Sequence, residues 1–180
     1  MSIAALNIPA ASPALPAPPM HTISILVRNK PGVLVRVALV FSRRGYNIDS
    51  LVVSPDMTDG GFSRITITCS GDPETLEQII KQCTKLIDVV HAIDHTGQAV
   101  IETEIALLKI RCSLDRRTEI LQIGEQYNAK VLDYGTDSLV VRVYGASDKL
   151  DAFTTLMKQF EIVELVRSGK ILMARGLATT

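Results

Sequence analysis

The chain has no tryptophan and few other aromatic residues, with four tyrosines and four phenylalanines in 180 positions. It also lacks an excess of either charge, because 19 basic side chains balance 19 acidic ones. Proteins that bind nucleic acid usually carry excess positive charge, so we expect no nucleic acid partner. No apolar run approaches the roughly 20 residues of a membrane span, so we expect no membrane contact.

Cysteine is scarce, and its three positions suggest neither a disulfide framework nor a metal cluster. Cys69, Cys83 and Cys112 are odd in number and lie among apolar neighbours, which is typical of reduced core residues in a cytoplasmic protein. His91 and His95 are four residues apart, but they flank a strand-like segment and we do not expect them to bind a metal. The sequence thus predicts a cytoplasmic chain without a metal site.

Residues 1–20 contain no charged side chain and are rich in alanine and proline. Such a segment cannot bury enough apolar surface to fold, and it lacks the basic start of a signal peptide. We expect a disordered arm. Met20 directly precedes the organised sequence and is a candidate alternative start.

Beyond the arm, the hydrophobic periodicity alternates between strand and helix. The first half predicts a strand from His21, a helix from Pro31 that ends at Gly45, strands over 47–54 and 64–69, a helix capped by Asp72, and a strand over 89–93. The second half repeats the order, with strands over 104–112, 130–133, 139–143 and 162–167 and helices over 116–127 and 147–160.

This order is βαββαβ twice, which predicts an α+β fold of two tandem ferredoxin-like units. Each unit has a four-stranded antiparallel sheet with two helices on one face. We divide the chain into an arm (1–20), a first unit (21–96), a linker (97–103), a second unit (104–176) and a tail (177–180).

The two sheets differ on the face that no helix covers. The first unit has mostly polar residues there, namely Thr22, Ser24, Leu26, Arg64, Thr66 and Thr68. In the second unit both faces of the first strand are apolar, because Ile105 and Leu107 alternate with Ala106, Leu108 and Ile110. An exposed apolar face of this kind predicts that the chain dimerises or docks on a larger subunit.

The turn from Asn29 to Leu34 connects the first strand to the first helix. Pro31 suits the first position of a helix, and Gly32 leaves the helix N-terminus without a covering side chain. The open N–H groups and the helix dipole favour an anion such as a ligand carboxylate. On these residues alone, an ordinary strand-to-helix turn is the favoured interpretation. The corresponding turn of the second unit lacks Pro and Gly, and there we predict that Asp115 caps the helix.

The pattern Asn-x-Pro-Gly-x-Leu in a βαββαβ unit resembles the ACT domain, a module that senses amino acids. More specific motifs resemble the regulatory small subunits of acetolactate synthase, also called acetohydroxyacid synthase. These motifs are residues 41–51, 63–66, 85–89, 149–153, 167–169 and 175–176. The resemblance covers residues 21–176.

This resemblance implies a subunit without catalytic residues, metal or cofactor of its own. Its implied partner is a catalytic large subunit that uses thiamine diphosphate, Mg and FAD to condense pyruvate with a second 2-oxo acid. The small subunit would raise that activity and confer feedback inhibition by a branched-chain amino acid. Valine is the usual effector, while Val35 stands where many relatives have a small polar residue, so leucine and isoleucine stay open.

The resemblance also implies where the effector binds, at a contact between the ACT domains of a homodimer. The residues that carry over are Asn29, Gly32, Val33 and Leu34 from one chain, with Asn47 and Ile48 from its partner. By sequence alone, Asn47 is equally well a turn residue, and Leu34 fits an ordinary core position.

Other functions are less compatible with these residues. A stand-alone ACT protein that regulates a different enzyme is the alternative within the same fold. An RNA-binding module of this topology would need several stacking aromatics on its sheet, where Thr66 and Thr68 lie. A small ferredoxin-like hydrolase would need an anion-binding arginine aligned with an activating group, and no segment supplies that spacing.

Overall fold

The computed structural model describes residues 18–56, 60–177 and 179–180. Residues 1–17 of the predicted disordered arm therefore lie outside the described part. The first unit contains β1 (Met20–Arg28), α1 (Val33–Ser42), β2 (Ser50–Pro55), β3 (Phe62–Ser70), α2 (Pro73–Cys83) and β4 (Val89–Asp94). Its strands form one sheet in the order β2-β3-β1-β4, and neighbouring strands are antiparallel.

The second unit repeats this plan and adds one strand. It contains β5 (Val100–Arg111), a short 3-10 turn (Leu114–Arg116), α3 (Arg117–Gln126), β6 (Lys130–Tyr134), β7 (Ser138–Gly145), α4 (Ser147–Met157), β8 (Glu161–Arg167) and β9 (Ile171–Ala174). The main strand order is β6-β7-β5-β8, and β9 pairs with the beginning of β5. The predicted α+β fold of two ferredoxin-like units is confirmed.

Each unit has its own hydrophobic core between the sheet and its helices. Alternation along the strands directs every second side chain to the helices, where burial of apolar surface stabilises the fold. The first core consists of Ile23, Ile25, Val27, Val33, Val37, Phe41, Ile65, Ile67, Cys69, Leu76, Ile79 and Cys83. The second consists of Ala106, Leu108, Ile110, Cys112, Ile120, Leu139, Val141, Val143, Leu150, Phe153, Met157 and Phe160. The three cysteines are free and buried, as predicted for core residues.

Two helix ends of the first unit form as their residues predict. Asp72 caps α2, because its Oδ2 accepts a hydrogen bond of 2.9 Å from the Thr75 N–H. At the end of α1, Gly45 takes a left-handed φ of 70°. The Tyr46 N–H then donates to the Phe41 carbonyl at 3.1 Å, which closes the last turn.

Several element boundaries differ from the prediction. β5 begins at Val100, so residues 100–103 of the segment predicted as a linker are strand and pair with β9. That pairing joins segments about 70 residues apart, and local periodicity carries no signal for it. β2 begins at Ser50 and not at residue 47, and α4 ends at Met157 and not at residue 160.

The helix-free faces also differ in exposure. On the second sheet Ile105 and Leu107 are 38% and 37% exposed, while Ala106, Leu108 and Ile110 are fully buried, which confirms a strand that is apolar on both sides. On the first sheet the polar residues Thr22, Ser24, Thr66 and Thr68 are buried. His95 covers part of this face, since its Nε2 lies 2.8 Å from Ser24 Oγ.

A membrane span requires a long and apolar helix, and the helices of the described residues can be compared with that requirement. None of the helices there is both long enough and apolar enough to span a bilayer.

Candidate functional site

The turn between β1 and α1 has an open helix N-terminus. Gly32 is the N-cap residue of α1, with φ 81° and ψ −6°, and it makes no side-chain capping hydrogen bond. The expectation that Pro31 is the first helical residue is wrong, because the left-handed Gly32 separates it from Val33, where α1 begins. Pro31 instead belongs to the turn, where its restricted φ limits the path of the chain.

Several N–H groups at this helix end are available to a ligand. Within the described ranges, the N–H groups of Gly32, Leu34 and Val35 have no backbone acceptor, and the Val33 N–H has only a long contact of 3.4 Å to the Lys30 carbonyl. The first turn of α1 contains no acidic residue. A Cβ placed on Gly32 would meet no atom within 4 Å. The helix end therefore presents a partial positive charge to open space.

The nearest buried carboxylate, that of Asp88, is neutralised. Its Oδ2 accepts from Arg36 Nη2 at 2.6 Å, and its side chain is 10% exposed. The Asp88 carbonyl accepts from the Arg28 N–H at 2.8 Å, so this residue is tied to the end of β1 next to the turn. Because Arg36 balances Asp88, the carboxylate does not cancel the positive potential of the helix end.

The other predicted residues at this turn have distinct environments. Asn29 is exposed, and its N–H donates to the Gly61 carbonyl at 2.7 Å. Val33 is 3% exposed and packs in the first core, so only its backbone can face a ligand. Leu34 is 39% exposed, so the interpretation as an ordinary core residue is wrong. Its side chain is free to contact a ligand or a partner.

The remaining two predicted residues lie at the opposite end of the sheet. Asn47 is exposed, with its Nδ2 donating to Asp49 Oδ1 at 2.9 Å, and Ile48 is partly buried against the first core. The Asp49 N–H bonds to the carbonyl of Thr68, near the end of β3, whereas Asn29 bonds next to the start of β3. Seven residues of strand separate these points, roughly 20 Å. One chain alone therefore does not bring the two groups together.

Both halves of the chain match known families. Residues 103–176 match a family described as small subunit of acetolactate synthase, and residues 23–91 match one described as AHAS small subunit-like ACT domain. A protein of Archaeoglobus fulgidus named probable acetolactate synthase small subunit is 44% identical over 87% of this chain and 97% of its own length. The chain belongs to the acetolactate synthase small-subunit family. The family indicated by the sequence motifs is thereby confirmed.

Other members of the family agree over nearly the whole length. The acetolactate synthase small subunit of Mycolicibacterium smegmatis is 40% identical over 88% of this chain and 92% of its own length. The crystal structure of the acetolactate synthase small subunit of Thermotoga maritima superimposes with a TM-score of 0.79 at 36% identity. That superposition covers 89% of this chain and 99% of the Thermotoga chain.

In this member of the family, the edge of the first sheet next to α1 is apolar. β2 is an edge strand, and Leu51 and Val53 on it are 38% and 47% exposed. α1 connects β1 to β2 and packs in the first core through Val33, Val37 and Phe41. Val35 and Leu39 on its outer side are 61% and 45% exposed. Apolar side chains thus line this edge on both the strand and the helix.

The corresponding turn of the second unit is closed to anions. The sequence predicted Asp115 as the N-cap of the helix, and this is wrong. Ser113 is the N-cap of the 3-10 turn, and α3 continues from that turn. A hydrogen bond from Ser113, followed by a backbone N–H bond, lowers the pKa of Asp115. This carboxylate therefore carries negative charge at the helix start and would repel a ligand anion there.

Sequence reasoning missed the contact region between the two units. A cavity of about 340 Å³ lies there, lined from the first unit by Met20, Asp49, Ser50 and Thr68 and from the second by Glu104, Ser147, Asp151, Arg167, Gly169 and Lys170. The only sequence signal was the Arg167-Ser168-Gly169 motif of the family resemblance. Gly169 of this motif contacts β2, which lies more than 100 residues earlier in the chain.

Proposed function

We propose that this chain is a non-catalytic regulatory subunit that activates the acetolactate synthase catalytic large subunit and makes it sensitive to feedback inhibition by valine. Family membership supports the regulatory role. The observation that carries the effector site is the uncapped N-terminus of α1 at Gly32. Thiamine diphosphate, Mg and FAD would belong to the catalytic partner, and this chain would hold none of them.

The chemistry of the turn suits an amino acid. A carboxylate would accept hydrogen bonds from the N–H groups of Gly32, Val33 and Leu34, with the helix dipole adding roughly 0.3–2 kcal/mol. The side-chain oxygens of Asn29 and Asn47 are acceptors for an ammonium group. Leu34 and Ile48 would form the apolar wall against a branched side chain, which favours valine, leucine or isoleucine over polar amino acids.

A homodimer through β2 would complete this site. When two copies of an edge strand pair antiparallel about a two-fold axis, the start of one strand lies beside the end of the other. Asn47 and Ile48 lie one residue before β2 begins, while the turn at Asn29 lies at the end where β2 finishes. Two-fold pairing would therefore bring the two groups together across the interface.

The thiols and the sheet surface offer little support for catalysis or RNA binding. Burial raises the pKa of the Cys69 and Cys83 thiols to about 11, so neither is a ready nucleophile at neutral pH. Thr66 and Thr68, which occupy the positions where RNA-binding sheets stack bases, are buried. Buried reduced cysteines also fit a cytoplasmic location.

The deciding experiment is acetolactate formation by the cognate catalytic subunit with and without this chain, titrated with valine, leucine and isoleucine. Activation together with newly acquired inhibition is the expected result, and the most potent amino acid identifies the effector. A chain that binds an amino acid in calorimetry yet changes neither the rate nor the inhibition would instead be a stand-alone ACT sensor for another enzyme.

A further inference from the structure

The second unit touches the edge strand of the first unit through a glycine. Gly169 follows β8, is buried, and has a left-handed φ of 80°. A Cβ built on it would lie 3.0 Å from Ser50 Oγ, 3.1 Å from Ser50 Cβ and 3.2 Å from Val52 Cγ2. The backbone at Gly169 therefore lies directly against side chains of β2, and a Cβ there would require these atoms to shift by a few tenths of an ångström.

The segment around Gly169 is tightly attached to the second unit. The Ser168 N–H donates to the Ile105 carbonyl at 2.9 Å, and the Ile105 N–H donates to Ser168 Oγ at 3.0 Å. On the other side, Lys170 Nζ lies 3.0 Å from Glu102 Oε2. Both partners lie on β5, so Gly169 moves with the central strand of the second sheet.

An ionic cluster around the buried Glu104 adds to this attachment. Arg167 Nε donates to Glu104 Oε2 at 2.9 Å, and Arg167 also pairs with Asp151 on α4. The Glu104 side chain is 8% exposed and accepts a further hydrogen bond of 2.6 Å from Ser147 Oγ. Separating these groups would leave a charge buried without its partner, which is strongly unfavourable. Hydrogen bonds and ion pairs thus attach this segment to both β5 and α4.

On the other side of the contact, β2 links Gly169 to the proposed effector site. Ser50 and Val52 face the second unit, whereas Leu51 and Val53 alternate with them and face the proposed dimer contact. Asn47 and Ile48 precede Ser50 in the chain, with only Asp49 between them. A displacement of β2 on effector binding would therefore reach Gly169 through directly bonded or touching atoms.

We propose that Gly169 is a positioning residue that couples effector binding at the first unit to the second unit through its contact with β2. This inference rests on the proposed function and concerns its regulation. Close packing suits this contact to coupling, because a displacement of β2 in a well-packed interface also displaces the atoms of Gly169. A looser or crowded contact would transmit less of the coupling free energy between the sites.

Gly169→Ala tests the crowded contact. The variant should bind valine in calorimetry with an affinity similar to that of the parent. In the complex with the catalytic large subunit, the inhibition by saturating valine should fall at least about fivefold. Gly176→Ala is the matched control, because Gly176 has a similar left-handed φ of 72° but its added Cβ would meet nothing within 4 Å. The control should retain parental inhibition.

Ser50→Gly tests the same contact from the opposite side and only removes atoms, so it serves even where Gly169→Ala folds poorly. It should also weaken inhibition while leaving valine binding intact. In the double variant, the alanine Cβ would occupy the space vacated by Ser50, and inhibition should recover towards the parental value. Strain at Gly169 alone would not be relieved by a change on β2, so this recovery separates coupling from a merely structural role.

Parental inhibition in both single variants would overturn the coupling proposal and leave the proposed function standing. Equal loss of inhibition in Gly169→Ala and Gly176→Ala would also overturn it, because backbone strain would then be the cause. If the parent chain itself neither bound valine nor conferred inhibition, the proposed function would fail, and the coupling proposal would fail with it.

Discussion

Gly32 shows how one residue can determine whether a helix end is closed or open. Its left-handed conformation turns the chain into α1, and its missing side chain leaves the first N–H groups accessible. In the second unit, the carboxylate of Asp115 lies at the equivalent helix start, where its lowered pKa keeps it charged. The two units share a fold, yet the helix start of the first lacks the carboxylate that the second carries.

Gly32→Asp should abolish effector inhibition while activation of the catalytic subunit persists. Two like charges about 4 Å apart repel by about 1–4 kcal/mol between bulk water and a protein surface, so valine affinity should fall at least about fivefold. Calorimetry of the variant chain and the acetolactate assay provide the two readouts.

Gly97→Asp is the control for this substitution. Gly97 has φ 72° with no atom within 4 Å of its added Cβ, so the variant carries the same new charge at a comparably strained position. It should retain inhibition. A Gly32→Asp chain that remained fully inhibitable by valine would show that the effector binds elsewhere.

At the scale of elements, each helix end in the first unit is stabilised differently. α2 begins with a side-chain cap from Asp72, whereas α1 begins without one and ends in a left-handed glycine. The capped helix start is closed by its own side chain, and the uncapped one is where we propose that the effector binds. Of the two helices in the first unit, the one without a side-chain cap is the one whose open N–H groups a ligand could cap.

Asp72 should make part of the stability of α2 dependent on pH. A backbone hydrogen bond from Thr75 lowers the pKa of this carboxyl below its ordinary value of 3.8. The stabilisation is therefore fully present above 3.8 and is lost as pH falls through the lowered pKa. Urea unfolding at about pH 7 and about pH 3 should show a larger loss of stability in the parent than in Asp72→Asn.

Asparagine is the informative replacement because it also caps helices well but does not titrate. The other carboxyl groups titrate in both proteins and cancel in the comparison. Equal losses on acidification would mean that the charge of Asp72 adds nothing to the cap.

For the whole molecule, the effector site is proposed to need two copies of the chain. Val53→Glu would place a carboxylate in the apolar contact along β2, where burying it without a partner is costly. Sedimentation should show the dimer dissociating at concentrations at least about tenfold higher than for the parent. Valine binding should weaken in parallel, because the two halves of the site would separate.

Ile87→Glu is the matched control for the dimer. Ile87 is 86% exposed and lies just before β4, on the opposite edge of the sheet. The same charge there should leave the dimer intact. If Ile87→Glu dissociated the chain and Val53→Glu did not, the contact would run along β4, and Asn47 would not reach the effector.

Much of the fold could be predicted because its signals are local. Alternating residues such as Ile65 and Ile67, the cap at Asp72 and the turn at Gly45 each depend on a few neighbouring positions. Boundaries were less accurate where a distant strand decides them. β9 was missed, and β5 proved longer than expected, because each of these short segments becomes a strand only by pairing with the other.

The candidate site divides in the same way. The sequence by itself determined the two ferredoxin-like units, the family and the glycine turn at the start of α1, since these depend on periodicity and on contiguous motifs. Only the tertiary structure decided that Leu34 is exposed, that Asn47 lies about 20 Å of strand from Asn29, and that Gly169 presses on β2. These are contacts and separations between segments far apart in the chain, and they exist only once the sheets have assembled.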